Sequence, residues 1–319
     1  MFRENGRAQI AARYYLHKRT QQELTQALAF FQKAIHRTPT YAAAYAGLAD
    51  CYNQLGTVLI GLESPLEARK LAMAAGARAL EIDAALAEAH AAIAYSNLYE
   101  WNWQKAERGF ERAIELNPNY ASAHLWYAHY LASQAKFDRA IQEVSLARDL
   151  DPLSPIIQTQ VGWILMQAQR FAEAEREVRK ALAIAPDYVW ALWQLGFIQA
   201  HRLNLAGAIA TLRKAVDASR RSPAILGSLG MAYALAGWRD DAIGILAELR
   251  QMSGSRYIPA NAYLYVYLGL HDRKGMFEWL EKSYTEHSNG MVYLGVWAGY
   301  DPARSDPRFE TLLRRIGLR

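Results

Sequence analysis

Ala140-Ile141-Gln142-Glu143-Val144-Ser145-Leu146-Ala147-Arg148-Asp149-Leu150-Asp151-Pro152 decides the fold, because its small and apolar positions return at a fixed interval. Thirty-four residues later the chain reads Ala174, Val178, Ala181 and Pro186; thirty-four earlier it reads Ala106, Phe110, Ala113 and Pro118. The leading alanine recurs again at Ala208 and Ala242, and the large apolar residue at Leu212, Leu246 and Leu280. Spacings of three and four place these residues on one helical face. The alanines let a second helix approach closely, the large residue fills the space between them, and the proline stops the helix.

Working outward, the residues upstream of each such helix carry a pattern of their own. With Ala42 as position one, Tyr45, Leu48, Ala49 and Tyr52 occupy positions 4, 7, 8 and 11. The same positions read Gln158, Val161, Gly162 and Leu165, then Leu192, Leu195, Gly196 and Gln199, then Leu226, Leu229, Gly230 and Tyr233. A small residue at position 8 is expected to meet the small residue at position 20 of the following helix, so that each unit is a tight antiparallel pair.

These residues carry a family resemblance. The chain resembles a tetratricopeptide repeat array, whose pattern is W-x2-L-G-x2-Y, then A-x3-F, then P on a 34-residue period. The resemblance implies an all-α, right-handed α-solenoid of about eight helix pairs with a C-terminal capping helix. Units start at Ala8, Ala42, Ala87, Ala121, Pro155, Val189, Pro223 and Tyr257. Residues 1–7 are a lead, residues 8–290 the array, and residues 291–319 the cap. An 11-residue insertion falls around Thr57 to Ser64, where Ser64-Pro65 reads as a fresh helix start. In the cap, Asp306-Pro307 opens a helix whose apolar stripe is Phe309, Leu312, Leu313 and Ile316.

A narrower resemblance rests on Tyr14-Tyr15-Leu16 with Lys18-Arg19-Thr20, on Tyr45 to Tyr52, and on the closing Ser305-Asp306-Pro307-Arg308-Phe309. These are similar to the arrays that follow winged-helix, cyclase or kinase modules in bacterial regulators. The expectation is a detached regulatory half or a chain that works alone, with no DNA binding assigned to these residues.

Composition agrees with a packed protein. Of 319 residues 52% are hydrophobic and 21% charged, enough to bury a core. The formal charge of +5 is small for this length and gives no footprint for nucleic acid or acidic membranes. Cys51 is the single cysteine, which excludes an internal disulfide, a CxxC redox pair and a four-thiolate zinc site. No apolar run reaches the roughly 18 residues of a membrane span. The opening Met1 to Arg7 holds no signal core, so the expected location is the cytoplasm.

No catalytic or metal motif stands out. The eight histidines form no H-E-x-x-H, and His90 and His124 fall at position 4, where packing is expected. Glu173, Glu175 and Glu177 spread around a helix as a solvated face, and Cys51 reads as an inert packed thiol. No cofactor and no metal are expected.

The resemblance places a binding groove along the first helices, at positions 2, 5, 6, 9, 12 and 13. There the chain presents Tyr95 and Tyr99, Trp126 and His129, Gln160 and Trp163, then Trp190, Trp193, Gln194 and Phe197, and finally Asn261 and Tyr265. Two readings compete: packing between neighbouring first helices, or an aromatic groove of binding hot spots. Positions 2, 5, 6 and 9 of units three to seven carry no Lys or Arg, and Arg13 in unit one is the exception. The expected partner is therefore a protein or peptide with an apolar or aromatic segment, bound by a scaffold or sensor. Rival readings are an RNA-binding helical repeat, an enzyme on a helical array, and a structural array that self-associates.

Overall fold

The computed structural model describes residues 15–16, 19–57 and 64–318, and among them every regular element is helical. Arg13, most of the first helix of unit one and most of the insertion lie outside the described residues. Helix α1 (Gln21–Arg37) precedes seven helical hairpins. These are α2 (Ala42–Leu55) with α3 (Pro65–Ile82), α4 (Ala87–Tyr99) with α5 (Trp103–Leu116), and α6 (Ala121–Ser133) with α7 (Phe137–Leu150). Then come α8 (Pro155–Gln167) with α9 (Phe171–Ile184), α10 (Val189–His201) with α11 (Leu205–Ala218), α12 (Pro223–Leu235) with α13 (Arg239–Met252), and α14 (Ala260–Gly269) with α15 (Arg273–Thr285). Two 3-10 turns (Asn289–Tyr293 and Ala298–Ala303) and helix α16 (Pro307–Arg315) close the chain.

The second helix of each hairpin is amphipathic. Helix α7 buries Ala140, Val144 and Ala147, and α9 buries Ala174, Val178 and Ala181, while their other faces meet solvent. The small residue at position 8 is required by the close approach. A Cβ on Gly162 would lie 2.3 Å from a Val178 methyl and 3.1 Å from the Ala174 carbonyl oxygen. His90 and His124 tie down the turn before their own helix: each ring bonds the carbonyl oxygen six residues upstream, of Ala84 and Pro118. Glu173 and Glu175 pair with Arg170 and Arg179, and Glu177 with Lys180, so the acidic run is a neutralised outer face.

The first helices behave differently. Helices α6 and α10 are buried nearly all round, from Ala123 to Ser133 and from Trp190 to Ala200. A helix with no exposed face is covered on every side. Two features cover these.

The array curves until its ends touch. Arg69 of α3 pairs with Glu100 at 2.5 Å and donates to the His287 carbonyl oxygen at 2.7 Å, just beyond α15. Trp101 stacks on His287 with centroids 4.0 Å apart, and Trp103 donates its indole N–H to the Ile316 carbonyl oxygen. The concave face becomes the wall of a closed channel.

The chain's own C-terminal segment fills much of that channel. Asn289 donates to Tyr95 Oη, Tyr293 bonds His129 Nδ1, and Trp297 donates to His201 Nε2. Helix α16 then packs outside on α15, with Arg315 on Glu281 and the Arg308 guanidinium 3.8 Å over the Phe277 ring. The segment from Met291 on thus runs through the channel before its helix packs on the last repeat. Residues 289–300 turn inward first, because Tyr293, Trp297 and Tyr300 bury their rings against the aromatic inner faces.

Candidate binding cavity

Beside the inserted segment the channel keeps a cavity of about 70 Å³. Eleven of the twelve groove residues marked in the sequence surround it: Tyr95 and Tyr99 of α4, Trp126 and His129 of α6, Gln160 and Trp163 of α8, Trp190, Trp193 and Gln194 of α10, and Asn261 and Tyr265 of α14. Phe197 is the twelfth. It lies one layer further along, against Trp193, Tyr265 and Trp297. The strip was expected to face an open groove if it bound a peptide. The structure instead encloses it: Trp126 is 6% exposed, Trp193 3% and Gln194 1%.

The walls are built of indoles and phenols in contact. Tyr95 meets Trp126 edge-on at 4.8 Å, Trp163 stacks on Trp193 at 5.7 Å, and Trp190 meets Trp193 edge-on at 6.2 Å. Two of the indole donors are used by protein: Trp193 N–H goes to Ser228 Oγ at 2.8 Å and Trp190 N–H to the Arg19 carbonyl oxygen at 3.3 Å.

The polar groups are less complete. Gln54 Oε1, His129 Nε2, Gln160 Oε1, Gln194 Oε1 and Asn261 Oδ1 are buried in the lining without a hydrogen-bond partner among the described residues. Native interiors pair the great majority of such atoms, so five around one cavity set it apart from the rest of the core. Burial, reinforced by the charge of Arg19, pushes the His129 imidazole down to about 3, so it is neutral at pH 7. Gln160 stands close enough to oppose that shift, but His129 Nε2 and Gln160 Oε1 do not meet at hydrogen-bonding geometry.

Arg19, Gln54, Asn289 and Tyr293 join this lining without having been marked in the sequence. Arg19 precedes α1, where Thr20 caps the helix by accepting from the Glu23 N–H. Its φ of 50° turns the chain so that the guanidinium lies 4.7 Å over the Trp126 ring. Burial lowers its pKa, and it is the one formally charged side chain among the described lining residues. Asn289 and Tyr293 had a sequence signal in the aromatic run Tyr293, Trp297, Tyr300 just past the last repeat. Cys51 is buried elsewhere in the core and burial raises its thiol pKa. Among the described residues no three His, Cys, Asp or Glu side chains gather as a metal site, and no helix is long and apolar enough to cross a membrane.

Comparison with known proteins matches this architecture. A tetratricopeptide repeat family model matches residues 110–142. The chain is similar to an uncharacterised protein of Haemophilus influenzae, 28% identical over 102 residues, covering 32% of this chain and 56% of that one. It is similar to the mitochondrial import receptor subunit TOM70 of Homo sapiens, 28% identical over 178 residues, covering 54% of this chain and 29% of that one. The matches therefore span about half and under a third of those relatives. Among solved structures, the APC/C hetero-tetramer Cut9–Hcn1 superposes with a TM-score of 0.60 at 18% identity, over 92% of this chain and 52% of that chain. Family model and superposition support a tetratricopeptide-type α-solenoid.

Proposed function

We propose that this chain is a non-enzymatic protein-interaction scaffold that receives an apolar or aromatic segment of its partner. The observation that carries this reading is a cleft of about 1100 Å³ between Tyr15, residues 19–26 and units six and seven. Tyr188, Val189, Trp190 and Pro223 give it an apolar side, and Thr20, Gln21 and Ser222 a polar one. Both suit an extended segment, whose backbone needs hydrogen bonds while its side chains need pockets. Trp190 belongs to cleft and cavity alike, so it is the groove tryptophan placed to meet a partner. Similarity to an import receptor subunit and to a chain of a hetero-tetramer supports an interaction role.

The array and its inserted C-terminal segment act as one unit in this reading, with residues 8–290 as the repeats and 291–319 as the cap. The resemblance of the chain's ends to bacterial regulator arrays supports a place in a bacterial regulatory system, in the cytoplasm, as its sensor or interaction part.

Photo-crosslinking tests the proposal. p-Benzoylphenylalanine at Val189 should capture a partner that the same group at Leu146, on the outer face, does not. Trp190→Ala should weaken that capture by about tenfold, the loss expected of a modest hot spot. Equal capture at both positions would overturn the assignment of the cleft.

A further inference from the structure

The cavity behind Trp190 has a composition that a peptide groove does not need. Its described lining holds one guanidinium, no carboxylate and no ammonium. Among the described residues no carboxylate lies within ion-pair distance of Arg19, although Asp50 is near enough to act on it through space. The partly buried Arg19 guanidinium presents a planar fork of donors matched to a carboxylate. Four of the carboxamides in the same lining keep an unpartnered oxygen, each with an acceptor oxygen and donor nitrogen on one pivot. Their unpartnered oxygens, on Gln54, Gln160, Gln194 and Asn261, call for N–H or O–H donors.

We propose that this cavity binds a small organic acid, its carboxylate on Arg19 and its N–H or O–H groups on the carboxamides of Gln160, Gln194 and Asn261. Each alternative class conflicts with a named group. A cation would face Arg19 with no carboxylate to balance it. A purely apolar ligand would leave all five polar atoms unpaired. The volume has room for on the order of five waters, so the ligand is the size of a small amino or hydroxy acid. Indole rings on Trp126, Trp163 and Trp193 shape the space around it. Entry is by way of the cleft, since Arg19 and Trp190 line both spaces. Arg220 and Arg256 at its mouth add positive charge beside Glu23 and Asp187. The inference is independent of the partner proposed for the cleft: crosslinking at Val189 reports one, ligand titration the other.

The experiment uses the full chain and a panel of the small L-amino acids and 2-hydroxy acids, each paired with its primary amide and with the amine or alcohol lacking the carboxyl group. Thermal unfolding and tryptophan fluorescence are read at millimolar concentrations. At least one acid should raise Tm by about 2 °C or more and change the fluorescence saturably, while its amide and decarboxylated analogue do neither. Arg19→Gln should weaken that acid at least tenfold. Gln160→Leu, close in volume and away from the strained backbone of Arg19, should weaken it about fivefold with unchanged helicity, and decides the matter if Arg19→Gln does not fold. The proposal is overturned if no acid acts, if amides and amines act equally, or if an acid binds both variants as it binds the parent.

Discussion

Trp193 touches Trp163, Trp190 and Phe197, spends its only donor on Ser228 and is 3% exposed, so a protein partner does not reach it from outside. Trp193→Ala removes a buried bicyclic side chain from a place where the helices cannot collapse. It should destabilise the protein by about 3–5 kcal/mol, measured by denaturant titration. A loss under about 1 kcal/mol would mean that the site is looser than its contacts imply. Two buried histidines add a pH dependence. Burial and then Arg19 push His129 down to about 3, and burial pushes His201 to about 4. In the unfolded chain both titrate near 6.5. Between those values the unfolded state holds more protons, so stability present at neutral pH is lost as pH falls below about 6.5. The slope is up to about 1.4 kcal/mol per unit for each group. His124, raised by Glu143 and the Pro118 carbonyl against the pull of its own burial, opposes this trend. Thermal melts from pH 7 to 5 should show falling Tm, and His201→Gln, which keeps an acceptor for Trp297, should flatten the slope. The inner-face positions of these residues follow from the 34-residue register, so the aromatic strip was readable in the sequence. Arg19 falls on that register too, at groove position 12 of the unit that starts at Ala8, but spacing alone does not show that a left-handed turn carries its guanidinium into the channel.

The turns inside the hairpins repeat as faithfully as the helices. Trp101, Ala135, Gln169, Leu203, Gly237 and His271, each 34 residues from the next, all have φ between 54° and 81°. After each, an N–H reaches back five residues to a helix carbonyl: Asn102 to Asn97, Lys136 to Leu131, Arg170 to Leu165, Asn204 to Gln199, Trp238 to Tyr233 and Asp272 to Tyr267. This is the hydrogen bond of a Schellman cap, a site that favours glycine. Gly237 is the one glycine of the six, so residue type announced the turn in a single unit. Spacing, rather than chemistry, carried it in the others. Leu203 is 78% exposed and makes little use of its side chain. Leu203→Gly relieves the left-handed strain, of about 1–2 kcal/mol, and the freer unfolded chain takes back part of the gain. The net expectation is a stabilisation of about 0.5–1 kcal/mol in a denaturant titration. An unchanged or lower midpoint would mean that the Leu203 side chain contributes packing that its exposure conceals.

A solenoid whose units touch only their neighbours frays from its ends. Here the ends are joined. Arg69 is 3% exposed and its guanidinium holds Glu100 in unit three, the His287 carbonyl at the end of unit eight and Asn289 as the chain turns into the channel. The repeat period says nothing of this contact, since curvature accumulates over units and the sequence states it nowhere. The same contact holds the inserted segment against Tyr95, so closure of the ring and the walls of the cavity depend on one another. Arg69→Met keeps the apolar stem and removes the charge. Glu100 is left beside His287 without its main counter-ion, and the carbonyl of His287 without its donor. Removing one partner of a fully buried pair costs about 3–5 kcal/mol; Glu100 is a quarter exposed, so about 2 kcal/mol is expected. The distribution of that loss is the sharper test. Hydrogen exchange should quicken together in α3, in α15 and in residues 289–300, 200 positions apart in sequence, while α8 and α9 keep their protection. Exchange that quickens in α3 alone would show that the junction is a contact between two independently stable ends, and that the channel stays closed without it.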